Sequence, residues 1–374
     1  MNTVIQNSNP LLGAFAENTE VILFAHGLLG TPRGKSANGL MIHSKLFNVT
    51  AIVDRNSKGL DTSEICKGVK KRIPIYEDVI TALNKHKAKA LIFLIEPDNR
   101  WFNDYNAAAI CGLDFINTTF NFIRNSSLLL DIIVKYKVRF YDLRDVSYLK
   151  AYPNPEIVNR KSKIIFVTGT DCGLGKRTAA YELTQLAIKQ GYNAVMYATG
   201  QTGLMLGEKG TPIDSLIMEF SNGVISQHIY QLCLKEYDMI FVEGQSDIFH
   251  PAYSVGTLSL LHGSNPDCVI IVHDDFRKTH KGFDDEAELY KMHSLKRYID
   301  VLEMLSLPCG PEYKTVGIAT IGQDNIQKIK SIPELKGMPV ADVLMEGGPE
   351  ILLHAVKNYL GLNKNNVLIE TFLN

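Results

Sequence analysis

The chain has 374 residues, enough for two domains. Its 45% hydrophobic and 21% charged residues are typical of a globular protein, and a net charge of −1 gives no basic field for nucleic-acid binding. No stretch approaches the roughly 20 apolar residues of a membrane span, and the first ten residues lack a signal-peptide pattern. The six cysteines form no CxxC pair, so we expect free, buried thiols in a reducing cytoplasm.

Predicted strands and helices alternate through the first 150 residues. Strands are expected at 21–25, 49–53, 90–95, 114–117 and 138–143, and helices at 36–45, 104–111 and 126–136. This alternation predicts a Rossmann-like parallel sheet with ligands at the carboxyl ends of its strands. The glycines at 27, 30 and 34 do not spell GxGxxG, so nicotinamide binding receives little support. Caps or solvated turns are the simpler interpretation of the polar strand-end residues His26, Lys35, Asp54, Glu96 and Asn117.

A polar segment with two prolines, residues 151–162, predicts a linker between a domain at 1–150 and a second domain at 163–374. The second domain opens on IIFVTGTDCGLGKRT, an apolar strand, a glycine-rich turn and the start of a helix. This order predicts a phosphate-binding loop, in which backbone N–H groups and a lysine face an anion. The predicted contacts are Gly169, Thr170, Asp171, Cys172, Gly173, Gly175, Lys176, Arg177 and Thr178.

The loop departs from the common phosphate-loop pattern at two positions. Thr170 stands where the first glycine is usual, and Arg177 stands where a magnesium-binding hydroxyl is usual. Thr178 follows one residue later and is a candidate metal ligand. The spelling GTDxGxGK is the form used by dethiobiotin synthetase-like proteins.

Further candidates follow downstream strands. A predicted strand at 193–197 leads into a turn at 198–203, whose Thr199, Gln201 and Thr202 are candidate cofactor contacts. A strand at 238–242 ends on Glu243, the usual place for a magnesium-coordinating acid. His250, on a loop before a proline, is a candidate acid, base or ligand.

The rest of the second domain is predicted in less detail. Residues 276–293 are expected to form a surface segment; Arg277, Lys278 and Lys281 could meet phosphates there, although a solvated face is the simpler account. Helices are expected around 213–220 and at 227–234 and 349–360, and strands at 269–272, 315–321 and 338–344.

Several motifs together resemble one family across essentially the whole chain. They are GTDCGLGK, ATGQTG, EGQ, HPAYS and LLHGSNPD, preceded by KSANGL and the strand ending at Asp54. The resemblance is to the D-glutamate N-acetyltransferase-like family, long catalogued as a domain of unknown function. It implies a Rossmann-like domain joined to a P-loop domain, and acetyl transfer from acetyl-CoA to the amine of D-glutamate. The divergent stretches 219–228, 246–248 and 277–283 put the acceptor amine in question.

Three functions therefore stay open. In an acyltransferase, the loop would hold the phosphates of acetyl-CoA while Lys176 positions the cofactor and Glu243 or His250 takes a proton from the attacking amine of a small amino acid. In an ATP- and Mg²⁺-dependent ligase or kinase, Lys176, Thr178 and Glu243 would stabilise a transferring phosphoryl group. A nucleotide- or CoA-responsive binding protein would need no catalytic residue. We favour the acyltransferase, and expect a cytoplasmic homo-oligomer that binds neither nucleic acid nor membrane.

Overall fold

The computed structural model describes residues 9–66 and 68–362. Most of the N-terminal decamer that lacks a signal-peptide pattern, and the end of the predicted second domain, lie outside these residues. The described residues form two compact units. Residues 9–149 and 198–217 make up the N-terminal unit, and residues 150–197 and 218–362 make up the P-loop unit. Each unit is an α/β fold built on a parallel sheet, which confirms the predicted fold class.

The sheet of the N-terminal unit has six parallel strands in the order β3-β2-β1-β4-β5-β6, the order of a dinucleotide-binding fold. The strands are β1 (Thr19–Phe24), β2 (Phe47–Val53), β3 (Ile75–Tyr76), β4 (Ala90–Phe93), β5 (Asp114–Asn117) and β6 (Phe140–Asp142). The helices are α1 (Lys35–His43), α2 (Thr62–Ile65), α3 (Val79–Leu83), α4 (Phe102–Ile110) and α5 (Ser127–Tyr136).

Both faces of this sheet are covered. Successive residues of β1 pack into different apolar clusters, with Val21 and Leu23 in one and Ile22 and Phe24 in the other. Side chains alternate across a strand, so this division places one cluster on each side of the sheet. The arrangement explains why these strands are continuous apolar runs in the sequence.

The second sheet has the strand order β13-β12-β11-β7-β10-β8-β9. Its strands are β7 (Lys163–Gly169), β8 (Ala194–Ala198), β9 (Lys209–Gly210), β10 (Met239–Glu243), β11 (Cys268–Val272), β12 (Thr315–Thr320) and β13 (Val340–Asp342). The helices after β7 are α6 (Lys176–Lys189), α7 (Gln201–Leu206), α8 (Met218–Cys233), α9 (Ser254–Ser264), α10 (Leu295–Met304), α11 (Gln323–Lys330) and α12 (Gly348–Leu360). The pairs β7–β10 and β7–β11 are parallel, so the loops after these three strands meet at one edge of the sheet.

Some sequence-based expectations were wrong in detail. The turn predicted at 198–203 gives way at Gln201 to α7. Residues 213–215 form a separate short 3-10 helix, and α8 joins the end of the helix predicted around 213–220 to the one predicted at 227–234. Five further helices were not predicted: α2, α3, α9, α10 and α11. The cysteines are free, but Cys111 and Cys309 are exposed and not buried. Within the described ranges, every helix is too short or too polar to cross a membrane.

Candidate functional site

The turn between β7 and α6 has the backbone that a phosphate loop requires. Gly173 and Gly175 have φ values of 73° and 101°, in the left-handed region that favours glycine. A Cβ on Gly244, directly after β10, would lie 2.5 Å from the carbonyl oxygen of Val167, so the chain after β10 passes too close to the backbone at the end of β7 for any side chain there. The sequence motif therefore folds into a compact loop at the helix N-terminus.

Two lysines lie at this loop. Lys176 is buried, and its Nζ donates to the carbonyl oxygen of Asp171 at 2.5 Å. Lys281, from the segment after β11, has its Nζ only 3.3 Å from the position that a Cβ on Gly173 would occupy. One cation therefore reaches the loop from its own helix and another from a neighbouring loop, which suits an anionic ligand.

Arg177 and Glu243 interact electrostatically at the position where other P-loop proteins hold magnesium. Burial lowers the pKa of the Arg177 guanidinium, and the negative charge of Glu243 opposes that change. Glu243 ends β10 and is itself buried. The predicted metal ligand Thr178 lies in the first turn of α6. A positive charge that interacts with Glu243 makes the binding of a metal ion to the same carboxylate less favourable.

Asp171 holds neighbouring loops together through one carboxylate oxygen. Its Oδ2 accepts hydrogen bonds from Arg277 Nη1 at 2.6 Å and from the backbone N–H of Lys281 at 2.8 Å. Arg277 Nη1 also lies within hydrogen-bond distance of the carbonyl oxygen of Cys172, at 2.9 Å. The interpretation of Arg277 as part of a solvated face is therefore wrong, because its guanidinium reaches a fully buried carboxylate.

Asp247, four residues after β10, is a second buried carboxylate that the sequence analysis did not single out. Its Oδ1 accepts from the backbone N–H of Phe249 at 2.6 Å. Burial, reinforced by the negative charge of Asp171, raises the pKa of Asp247 to about 7. Ser246 immediately before it has a left-handed backbone, φ 44°, which is uncommon for a residue with a side chain.

His280, in the segment after β11, completes a cluster with the two carboxylates. Its Nδ1 lies 3.4 Å from Asp247 Oδ2 and 3.8 Å from Asp171 Oδ1. These three atoms are buried and have no hydrogen-bond partner among the described residues. Burial lowers the pKa of the His280 imidazole. We refer to Asp171, Asp247 and His280 as the carboxylate–imidazole cluster.

His250 lies beside this cluster with both ring nitrogens engaged. Its Nδ1 accepts from the backbone N–H of Ala252 at 3.2 Å, so in the neutral ring Nε2 carries the proton. That Nε2 faces the carbonyl oxygen of Lys281 at 3.3 Å and Asp171 Oδ1 at 3.7 Å. Burial lowers the pKa of His250, which favours this neutral form. His250 is therefore arranged to donate a hydrogen bond from Nε2.

The predicted contacts Thr199, Gln201 and Thr202 belong to the segment that clusters with the N-terminal unit. Thr199 and Thr202 are buried, and the Thr202 hydroxyl is 2.8 Å from that of Ser36. Their predicted role in cofactor binding stays a prediction.

The N-terminal unit has a cavity of about 470 Å³ at the carboxyl ends of its central strands, lined in part by His26, Arg33, Arg55, Glu96, Arg100 and Trp101. The His26 ring stacks on Trp101 at 4.1 Å, and the Arg55 guanidinium lies 4.6 Å from the Trp101 ring centre. Asp54 is not among the residues that line this cavity, where a residue that binds a ribose would lie. Its Oδ1 instead accepts hydrogen bonds from the backbone N–H groups of Gly27 and Asn56, at 3.0 Å each. The interpretation of Asp54 as a cap is confirmed.

A parallel sheet whose central strand runs through a glycine loop into a helix, with a buried lysine at the helix start, defines a P-loop α/β protein. The profile of one family, described as "Domain of unknown function (DUF1611_C) P-loop domain", matches residues 153–352. The chain belongs to this DUF1611 family, which confirms the resemblance that its motifs indicate.

Named relatives and a solved structure agree with this assignment. The chain is 28% identical over 246 residues to a D-glutamate N-acetyltransferase of Tritonibacter scottomollicae, covering 64% of this chain and 72% of that protein. It is 26% identical over 261 residues to a D-glutamate N-acetyltransferase of a Pseudoalteromonas species, covering 68% and 76%. The crystal structure of a DUF1611 family protein from Anabaena variabilis superposes with a TM-score of 0.80 at 25% identity, over 91% of this chain and 100% of that one.

Proposed function

We propose that this protein is an N-acyltransferase that moves an acetyl group from acetyl-CoA to the amine of a small amino acid such as D-glutamate. The proposal rests on the relatives named D-glutamate N-acetyltransferase and on one observation in the structure, a glycine loop with cations on two sides. In this proposal the loop amides, Lys176 and Lys281 hold phosphate groups of CoA.

The electrostatic interaction between Arg177 and Glu243 supports acetyl transfer over the ATP-dependent alternative. An ATP-dependent ligase or kinase uses a loop hydroxyl and a strand-end acid to hold Mg²⁺. Here a buried guanidinium takes the position of the hydroxyl and interacts with that acid. Acetyl transfer to an amine needs no such ion at this position, because CoA is a good leaving group without a metal.

The attacking amine must lose a proton, and the structure favours one of the two predicted groups. His250 Nδ1 is occupied by the N–H of Ala252 and Nε2 carries the proton, so this imidazole offers no free lone pair. Glu243 is a buried side chain at the end of β10, and a carboxylate there can accept a proton. We assign Glu243 as the general base, a role that contributes about 10²–10⁴ in rate in enzymes.

The experiment is an acetyl-transfer assay with purified protein. D-glutamate, L-glutamate and a panel of small amino acids would each receive acetyl-CoA or ATP–Mg²⁺, with release of free thiol and of ADP followed in parallel. We expect amino acid-dependent thiol release that falls by at least about 100-fold in Lys176→Ala, because an anchor for the cofactor phosphates is lost.

A matched control is Lys189→Ala, which removes an exposed lysine from the last turn of the same helix and should leave the rate unchanged. ADP release without thiol release would overturn the proposal in favour of the ligase. Binding of CoA without either product, across the whole panel, would favour a binding protein. Glu243→Gln should lower kcat with little effect on the KM for acetyl-CoA.

A further inference from the structure

The carboxylate–imidazole cluster brings three unpartnered atoms of different side chains close together. Asp171 Oδ1, Asp247 Oδ2 and His280 Nδ1 are all buried, lie within 4.8 Å of one another, and have no hydrogen-bond partner in the part of the chain that the structure describes. The three side chains are exposed by 0%, 0% and 3%. Leaving buried polar atoms without a partner is costly, so a bound group that contacts all three atoms would stabilise this arrangement.

The separations fit a bound metal ion. With Nδ1 at 3.4 Å and 3.8 Å from the two oxygens and the third separation no greater than 4.8 Å, the shortest equal distance from one point to the three atoms is about 2.0–2.4 Å, and the lower part of this range matches the roughly 2.0–2.2 Å bonds of Zn²⁺ to imidazole and carboxylate. We propose that Asp171, Asp247 and His280 bind one divalent transition-metal ion of the Zn²⁺ type.

The other atoms of each side chain are already committed in a way that suits this role. Asp171 Oδ2 accepts from Arg277 and from the N–H of Lys281, and Asp247 Oδ1 accepts from the N–H of Phe249. The far nitrogen of His280 lies 3.5 Å from the Tyr298 hydroxyl. Ligands of a metal ion are typically fixed by such second contacts, which leave one lone pair of each side chain directed at the ion.

The charges of the three side chains and their ligand atoms limit which kinds of metal ion the cluster could bind. Asp171 is paired with Arg277, and Asp247 faces the His280 imidazole, so a cation at the cluster would lie between two carboxylates that only one arginine contacts directly. Calcium and magnesium prefer oxygen ligands alone, while an imidazole with carboxylates suits zinc and its neighbours in the first transition row. Three protein ligands leave a fourth position for water or substrate.

A second group of possible ligands, Asp171 with Cys172 and His250, is a poorer candidate. The proton on His250 Nε2 blocks the nitrogen that faces Asp171, and Cys172 Sγ donates to the Ser246 hydroxyl at 3.3 Å. The proposed site is also distinct from the predicted pair Thr178 and Glu243. The proposal does not rest on acetyl transfer.

The test is metal binding by the full chain. Protein stripped with a chelator would be titrated with Zn²⁺ against a chromophoric indicator and with Co²⁺ by visible spectroscopy. We expect one Zn²⁺ per chain, and Asp247→Asn and His280→Gln should each weaken it by about 100-fold or more because a direct ligand is lost. Glu243→Gln is the matched control, removing a nearby buried acid that is not a ligand, and should retain the ion.

Thermal melting with and without Zn²⁺ checks each variant independently of catalysis. Wild type and Glu243→Gln should melt at a higher temperature with the ion, whereas folded Asp247→Asn and His280→Gln should not. If Asp247→Asn does not fold, the test rests on His280→Gln, for which we expect an altered Co²⁺ spectrum. Failure of wild type to bind Zn²⁺ would overturn the proposal. So would unchanged binding in both folded variants, or a carboxylic-acid infrared band at neutral pH that persists with Zn²⁺ and disappears in Asp247→Asn.

Discussion

Asp54 and Asp247 each follow a strand of a parallel sheet, and both are buried. Asp54, in the N-terminal unit, accepts two backbone N–H groups and caps the short helix that follows. Asp247, in the P-loop unit, accepts one backbone N–H and leaves its other oxygen facing an imidazole and a second carboxylate. The comparison teaches that the position of an acid in the fold does not reveal its role. The role is instead revealed by which of the carboxylate oxygens have no hydrogen-bond partner.

The two units should differ most in how much stability they lose when a loop glycine is replaced by alanine. A Cβ on Gly244 would lie 2.5 Å from the Val167 carbonyl oxygen and 2.8 Å from the Thr168 Cα. Backbone cannot yield as a side chain does, so Gly244→Ala should cost about 3 kcal/mol or more of unfolding free energy. Gly27→Ala, at φ 69° with a 3.5 Å contact to an Asn56 side chain, should cost about 1 kcal/mol. Urea denaturation measures both, and equal losses would contradict this ranking.

A buried histidine of the P-loop unit should produce a pH dependence of stability. Burial lowers the pKa of His228 to about 4 in the folded protein. As the pH falls below about 6.5, the unfolded chain takes up a proton that the folded chain does not, so stability declines until about pH 4, by about 3 kcal/mol. His228→Gln should remove this part of the slope, while His354→Gln, at an exposed helix position, should not. Denaturation curves at pH 7, 6, 5 and 4 provide the measurement.

Exchanging the two acids for asparagine tests the opening comparison directly. Asp54→Asn weakens two charge-assisted hydrogen bonds to backbone N–H groups and should destabilise the protein by about 1–2 kcal/mol. Asp247→Asn, measured with chelator present, removes a buried charge and should be neutral or stabilising at pH 7.5. Should Asp247→Asn prove the more destabilising of the two under these conditions, the distinction between a capping and a site carboxylate would be wrong.

The smallest expected effect is a change of tryptophan fluorescence at the cavity of the N-terminal unit. Trp101 is the single tryptophan of the chain, and its ring stacks on His26. Burial lowers the pKa of His26 to about 4, so the imidazole is neutral at pH 7. Protonation places a cation on the indole, and tryptophan emission should fall as the pH drops through about 4. His26→Gln should abolish that transition, with circular dichroism checking that the protein remains folded.

Sequence reasoning found the elements with a local signature. Strand β7, the glycine loop and α6 are formed by one continuous stretch of sequence. The buried strands of the N-terminal sheet, and the helices between them that were predicted, are likewise each recognisable from a single continuous stretch. Helix α7 was missed because its six residues, with Gly203 among them, are too few to show helical periodicity. Short strand β3, with two residues, left no pattern to detect.

The carboxylate–imidazole cluster could not be seen in the sequence for a different reason. His280 lies in a charged stretch that indicates a surface loop, yet its side chain is buried against residues 33 and 109 positions earlier in the chain. A usable signal did exist, because acids and histidines soon after β7, β10 and β11 converge when these strands are neighbours. Strand order, however, is a property of the fold and is not read from spacing.

The position of segment 198–217 in the sequence bears on the order in which the parts of the N-terminal unit are synthesised. It clusters with the N-terminal unit, where the Asn9 side chain donates to the carbonyl oxygen of Leu204 at 2.9 Å and Ser36 meets Thr202. A ribosome synthesises the phosphate loop and α6 before this segment emerges. The six-stranded sheet of the N-terminal unit is therefore synthesised first, and the last segment of that unit can dock only after the phosphate loop and α6 have been made.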